Sequence, residues 1–276
     1  MPARLLLLLL TACLAAAVAR AEPVVTVPNF WDPAVRVERP DPGPQRVVRF
    51  LTDDEYPPLH FAGPDGALTG LSVELARATC DRLGWTCTVQ ARRFDTLADS
   101  LAEGRGDVLA AAVNVTPALR ARFAAGHLYF RSPARFVTAS GNERAEFETS
   151  ALGGRRVAVV AGTAHSAFLE RFVPFAQRRE VADLPAALAA LRSGEAEFVF
   201  GDGVALSSLM AAAAAPGFAF TGGPYLDPRF FGEGVAFLTR KDDLGLLRAL
   251  DWALQSLWDD GTYARLYLRF FPVGPF

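Results

Sequence analysis

Residues 156–203 read RVAVVAGTAHSAFLERFVPFAQRREVADLPAALAALRSGEAEFVFGDG, and this stretch decides the fold class. Residues 156–160 are a short apolar run rich in valine, the pattern of a strand. After Gly162, residues 164–172 carry a helical pattern, with Thr163 placed to cap it. Residues 185–191 read as a second helix that Gly194 stops, and residues 197–200 as a second strand running into Gly201-Asp202-Gly203. A further helix is expected over residues 205–213. Short apolar strands alternating with helices of this length predict an α/β fold.

The same grammar extends outward in both directions. Upstream, residues 47–51 read as a strand, and Ser72 is placed to cap a helix that ends at Leu83 before Gly84. Residues 86–91 form the next expected strand, Asp95 the cap of a helix to about Glu103, and residues 108–113 a buried strand. Thr116-Pro117 marks a helix start, because Thr accepts from orphan amides and Pro fits the first turn. Strands are expected again over residues 134–139 and 235–239, followed by a long helix over residues 244–258. No short-period repeat is visible.

The chain has 276 residues, 51% apolar and 21% charged, with a formal charge of −2. That balance excludes a disordered or fibrous chain, and a near-neutral charge lacks the basic face that nucleic acid requires. The first residues read as an export signal over 1–21: Arg4 is a positive start, residues 5–18 are apolar, and Ala19-Arg20-Ala21 is a small-x-small cleavage site. Leu10-Thr11-Ala12-Cys13 also fits a lipid-attachment box, but the apolar run continues past Cys13, which favours cleavage. Export leaves Cys80 and Cys87 as the remaining thiols in an oxidising compartment, so a local disulfide is expected, contributing about 2 to 3 kcal/mol by loop entropy. Residues 22–45 hold six prolines and read as an extended arm or linker.

Five motifs in order carry a resemblance. They are Tyr56-Pro57-Pro58-Leu59-His60-Phe61 followed by Gly66 to Leu75, Gly104-Arg105-Gly106-Asp107, Asn114-Val115-Thr116-Pro117, Ser193 to Glu197 with Gly201-Asp202, and Asp260-Gly261-Thr262-Tyr263. From about residue 47 to 271 the sequence resembles the bacterial periplasmic solute-binding proteins, family 3, which feed polar amino acids to ABC importers. The Cys80 and Cys87 spacing is similar to that of members binding lysine, arginine, ornithine and histidine. The resemblance implies a two-lobed, type II or Venus-flytrap clamp with two hinge crossings. Lobe one would be residues 46–138 plus 236–276 and lobe two residues 139–235, with crossings near 137–141 and 232–235. It further implies a periplasmic monomer, a permease of the inner membrane as partner, and no cofactor or metal.

The same resemblance assigns ligand roles. Asp202 would take a ligand ammonium, and Tyr56 and Phe94 would sandwich its side chain. Asn114, Thr116 and Thr163 would offer polar contacts. Apart from the resemblance, Asp53 and Asp54 stand just after the first strand, where they could meet a cationic tail or be solvated loop acids. The family's carboxylate-binding Arg falls here on Leu119, with Arg120 next to it, so either Arg120 serves or the ligand lacks an α-carboxylate. Two more departures stand nearby: Ala111 and Ala112 replace hydroxyl residues, and Ala124-Ala125-Gly126 replaces an acidic-aromatic-serine run. Other readings stay open at this point. The fold also hosts cyclohexadienyl-type dehydratases, for which Glu170 or Glu233 are nominal acids, and it can serve as an accessory signalling module. No catalytic motif surrounds the three dispersed histidines His60, His127 and His165.

Overall fold

A computed structural model describes residues 25–31, 37–40, 46–144, 146–212, 217–272 and 274–276. The expected export signal and Cys13 lie outside the described residues. Two five-stranded sheets organise the rest. The first contains β1 (Val47–Thr52), β5 (Thr86–Ala91), β6 (Val108–Leu109), β7 (Ala124–Phe130) and β13 (Val235–Thr239), in the order β5-β1-β6-β13-β7. A small sheet of β2 (Glu55–Tyr56), β3 (His60–Ala62) and β4 (Leu68–Thr69) stands beside it. The second large sheet contains β8 (Ala134–Ala139), β9 (Arg156–Val160), β10 (Gln177–Val181), β11 (Phe198–Asp202) and β12 (Phe218–Tyr225), in the order β10-β9-β11-β8-β12.

Helices cover both faces of each sheet. In lobe one these are α1 (Leu71–Leu83), α2 (Leu97–Ala102), α3 (Pro117–Arg122), α8 (Leu244–Asp259) and α9 (Thr262–Phe270). In lobe two they are α4 (Ala164–Phe172), α5 (Leu184–Ser193), α6 (Gly203–Ala212) and the short α7 (Pro228–Phe231). The core of lobe one packs Phe50, Leu71, Leu75, Tyr129, Phe237, Leu250 and Leu254 on one sheet face, and Leu51, Leu97, Leu101, Leu109 and Leu238 on the other. Lobe two buries a mainly aromatic cluster of Phe136, Phe168 and Phe200 on one face and Val137, Leu188, Leu191, Val199 and Leu206 on the other.

The strand pairing corrects one expected boundary. β8 pairs antiparallel with both β11 and β12, so it belongs wholly to lobe two. The first crossing is therefore residues 131–133, not 137–141; the second is residues 232–234. Periodicity identified β8 as a strand but carries no information about which sheet it joins. Smaller differences follow from local geometry. The N-cap of α1 is Gly70, and Ser72 is buried, accepting from the Tyr129 hydroxyl at 3.0 Å. Asp95 sits in a 3-10 turn over Phe94–Thr96 ahead of α2 and caps nothing. β6 spans only two residues of the six-residue apolar run. Thr116 accepts from the Leu119 amide with Pro117 in the first turn of α3, and Gly84 ends α1 in the left-handed region at φ 67.

Cys80 at the end of α1 and Cys87 in β5 form a disulfide, with Cα atoms 6.2 Å apart. The described parts of the proline-rich arm pack against lobe one rather than hanging free. Val25, Val27, Phe30 and Trp31 cover its core, and the Val37 amide donates to Gln255 of α8 at 2.9 Å. Trp31 stacks on His127 at 4.7 Å between ring centroids. Beneath that pair Asp251 accepts from the His127 amide at 2.8 Å, and Gly126 is required because a Cβ there would collide with the Asp251 carboxylate.

Burial pushes the Asp251 carboxyl up from 3.8 to about 6. A raised acid favours folding while protonated, so its stabilising contribution is complete below about pH 3.8 and is lost as pH rises through about 6. Asp251→Asn keeps an acceptor for the His127 amide and removes the titration. Urea unfolding of the variant and the wild type is expected to diverge in the variant's favour between pH 4 and 7.5, by up to about 3 kcal/mol. A stability difference that does not change with pH contradicts this assignment.

Candidate functional site

The site lies where the two crossings meet the ends of β11 and β2. On β11, Phe198, Phe200 and Asp202 share a face by strand alternation; the first two enter the aromatic core and Asp202 emerges at the strand end. Its Oδ1 accepts from the Ala205 amide at 2.8 Å, which caps α6, and from the Tyr56 hydroxyl at 3.3 Å. Its Oδ2 accepts from the Ser132 hydroxyl in the first crossing. One carboxylate thus closes a helix, holds a hinge segment and reaches the opposite lobe. Gly203 fits here for a packing reason: its amide donates to the Pro133 carbonyl at 2.7 Å, and a Cβ would lie 2.8 Å from that oxygen.

Tyr56 comes from β2 of lobe one. Burial first, and then the Asp202 charge, hold its phenol well above the usual range, so it remains a donor toward Asp202. His165, in the first turn of α4, stacks on Phe231 at 5.1 Å and meets Phe200 edge-on at 5.8 Å. Desolvation lowers its pKa while the Asp202 charge pulls the other way, leaving a neutral imidazole on the Asp202 side of the cleft.

The remaining expected contacts are arranged less simply. Asn114 bridges to Val235, and its Oδ1 is buried without a hydrogen-bond partner. The Thr116 hydroxyl is engaged as the cap of α3. Leu119 packs into the apolar cluster of Leu51, Leu97 and Leu238. Arg120 donates to Glu233 from Nε at 3.1 Å and from Nη2 at 2.6 Å, spanning α3 and the second crossing. Those bonds hold the Glu233 carboxyl below its usual range and already engage both groups. Thr163 donates to the Val160 carbonyl at 2.7 Å and accepts from the Ser166 amide at 3.3 Å, so it acts as a cap.

Asp53 is 6% exposed, and its Oδ1 lies 3.1 Å from His60 Nδ1. On its other side the His60 ring accepts from the Ala112 amide at 2.9 Å, so the pair props the segment ahead of Asn114. Phe94 is 60% exposed on the rim of a cavity of about 500 Å³ that also includes Asp53, Asp54 and Arg92. The structure therefore joins Tyr56 to Asp202, sets Asn114, Thr116 and Arg120 around the second crossing, and leaves Phe94 apart. Sequence reading missed Ser132 and His165. Ser132 was hidden by placing the first crossing downstream of it, and His165 by counting it among dispersed histidines. Among the described residues no group of three or more His, Cys, Asp or Glu is placed to hold a metal, and no helix is long and apolar enough to cross a membrane.

Residues 48–273 match the model of the bacterial extracellular solute-binding proteins, family 3. The chain belongs to that family. It is 27% identical over 232 residues to the lysine/arginine/ornithine-binding periplasmic protein of Escherichia coli K12, covering 82% of this chain and 87% of that protein. It is 28% identical over 233 residues to the histidine-binding periplasmic protein of Salmonella typhimurium LT2, covering 83% and 88%. Among solved structures it is similar to an ancestral cationic amino acid solute-binding protein, with TM-score 0.67, 25% identity, and 82% and 95% of the two chains covered. A family 3 protein with this two-lobed architecture binds a solute; these relatives are binding proteins, not enzymes, and nothing among them supports a dehydratase. Glu170 faces Arg178 on the surface and Glu233 is bonded to Arg120.

Proposed function

We propose that this chain is the periplasmic receptor of an ABC importer and takes a cationic amino acid between its lobes, delivering it as a monomer to an inner-membrane permease. The observation that carries this reading is the Tyr56 to Asp202 hydrogen bond at 3.3 Å, which puts a carboxylate of lobe two within reach of lobe one. Removing an ammonium from water costs several kcal/mol unless an anion meets it, and Asp202 is the acid so placed. The bound ammonium competes for the oxygens now held by the Tyr56 and Ser132 hydroxyls. A ligand touching both lobes favours the closed form because closure adds contacts that the open form lacks. The ring of Tyr56, hydrogen-bonded to Asp202, is the aromatic surface placed to stack on the ligand's cationic tail, contributing about 1 to 2 kcal/mol once desolvated. The relatives that bind lysine, arginine, ornithine or histidine support this ligand class.

Titration calorimetry with L-arginine, L-lysine, L-ornithine and L-histidine, alongside a turnover assay with prephenate, tests the reading. Saturable binding of at least one basic amino acid with no conversion of prephenate is expected. Silence with all four amino acids, or consumption of prephenate, contradicts it.

A further inference from the structure

The family position for the carboxylate-binding Arg holds Leu119, partly buried against an apolar cluster, and its neighbour Arg120 is bonded to Glu233 at the surface. A second cation stands nearby. Arg131, the first residue of the first crossing, is half-buried, and its Nε is shut off from water with no hydrogen-bond partner. Its Cγ lies flat against the second crossing, where a Cβ on Gly234 would come within 2.9 Å of it. Asn114 lies against the same crossing, where a Cβ on Gly232 would meet its Cβ at 2.6 Å. A buried donor left unpaired costs about 1 to 3 kcal/mol, and such groups in folded proteins are usually satisfied by something. Here two unpaired polar groups, Arg131 Nε and the Asn114 amide oxygen, flank one three-residue segment. The two ends of the Asn114 amide exchange by a flip, so that buried spot can also offer an N–H.

We infer that Arg131, and not Arg120, takes the α-carboxylate of the ligand, so that the ligand is an intact amino acid and not an amine. This rests on the receptor reading above. The geometry of a zwitterion supports it. Ammonium and carboxylate sit on one carbon, so their partners must be close together, and consecutive Cα atoms are about 3.8 Å apart. Ser132 binds the Asp202 carboxylate, and Arg131 is the preceding residue. The guanidinium fork can donate to both oxygens of a carboxylate, which fits the one group of an amino acid that Asp202 cannot serve. Placed in the crossing itself, the contact would report to both lobes.

Two probe pairs test this by calorimetry: L-arginine against agmatine, and L-lysine against cadaverine, each amine lacking only the carboxylate. They are titrated into wild type, Arg131→Gln and Arg120→Gln, with thermal unfolding as the check that the variants are folded, and Arg131→Lys as a second variant that keeps the charge. The wild type is expected to bind an amino acid at least tenfold more tightly than its amine. Arg131→Gln is expected to lose that tenfold while leaving amine binding within about twofold, Arg131→Lys to recover part of it, and Arg120→Gln to lose less than Arg131→Gln. Unchanged amino acid affinity in Arg131→Gln, or an equal loss for amine and amino acid, overturns the assignment. A wild type that binds amine and amino acid alike overturns it while leaving the receptor reading intact, whereas silence with these four probes and with L-ornithine and L-histidine overturns both.

Discussion

Phe200→Ala is expected to destabilise lobe two by about 3 to 5 kcal/mol, the range for removing a buried phenylalanine ring from a core. Phe200 has no exposed surface and lies at the middle of the aromatic cluster, with ring centroids 4.4 Å from Phe136, 5.5 Å from Phe168 and 5.9 Å from Tyr225. Its neighbours come from β8, α4 and β12, so no single element can shift inward to fill the space. The same ring supports His165 and, through Phe231, the wall beside the second crossing. Urea unfolding followed by a probe in lobe two should show the loss, and Phe200→Leu should recover more than half of it. A loss below about 1 kcal/mol for Phe200→Ala would show that the cluster relaxes and does not hold the Asp202 strand in place.

Much of this architecture was legible in the chain because it depends on local rules. The valine run of β9, the caps Thr116 and Thr163, and the Gly84 stop each act over a few residues, and the structure places them as the sequence pattern requires. Asp202 was legible as an acid between two glycines, though the glycine at 203 answers to Pro133 rather than to a ligand. What escaped was set by long-range pairing. The membership of β8 in the second sheet depends on β11 and β12, more than fifty residues away, and with it went the crossing and the Ser132 contact to Asp202. Asp53 looked like a free loop acid because its partner, His60, approaches only after β2 and β3 pair. Arg120 looked available because Glu233, more than a hundred residues later, does not announce itself in a local window.

Replacing Asp202 is the second large effect expected, and calorimetry of that change tests the central claim most directly. Removing one partner of a buried charge pair typically costs 2 to 5 kcal/mol, and a tenfold loss corresponds to about 1.4 kcal/mol. Alanine also removes the cap of α6, so Asp202→Asn serves beside it: asparagine keeps an oxygen for the Ala205 amide and discards the charge. Both variants, titrated with the basic amino acid that the wild type binds best, should lose at least tenfold in affinity, with Asp202→Asn unfolding near the wild-type temperature. If Asp202→Asn binds that amino acid as tightly as the wild type does, the ligand's positive group is not held at Asp202 and the account of the site fails.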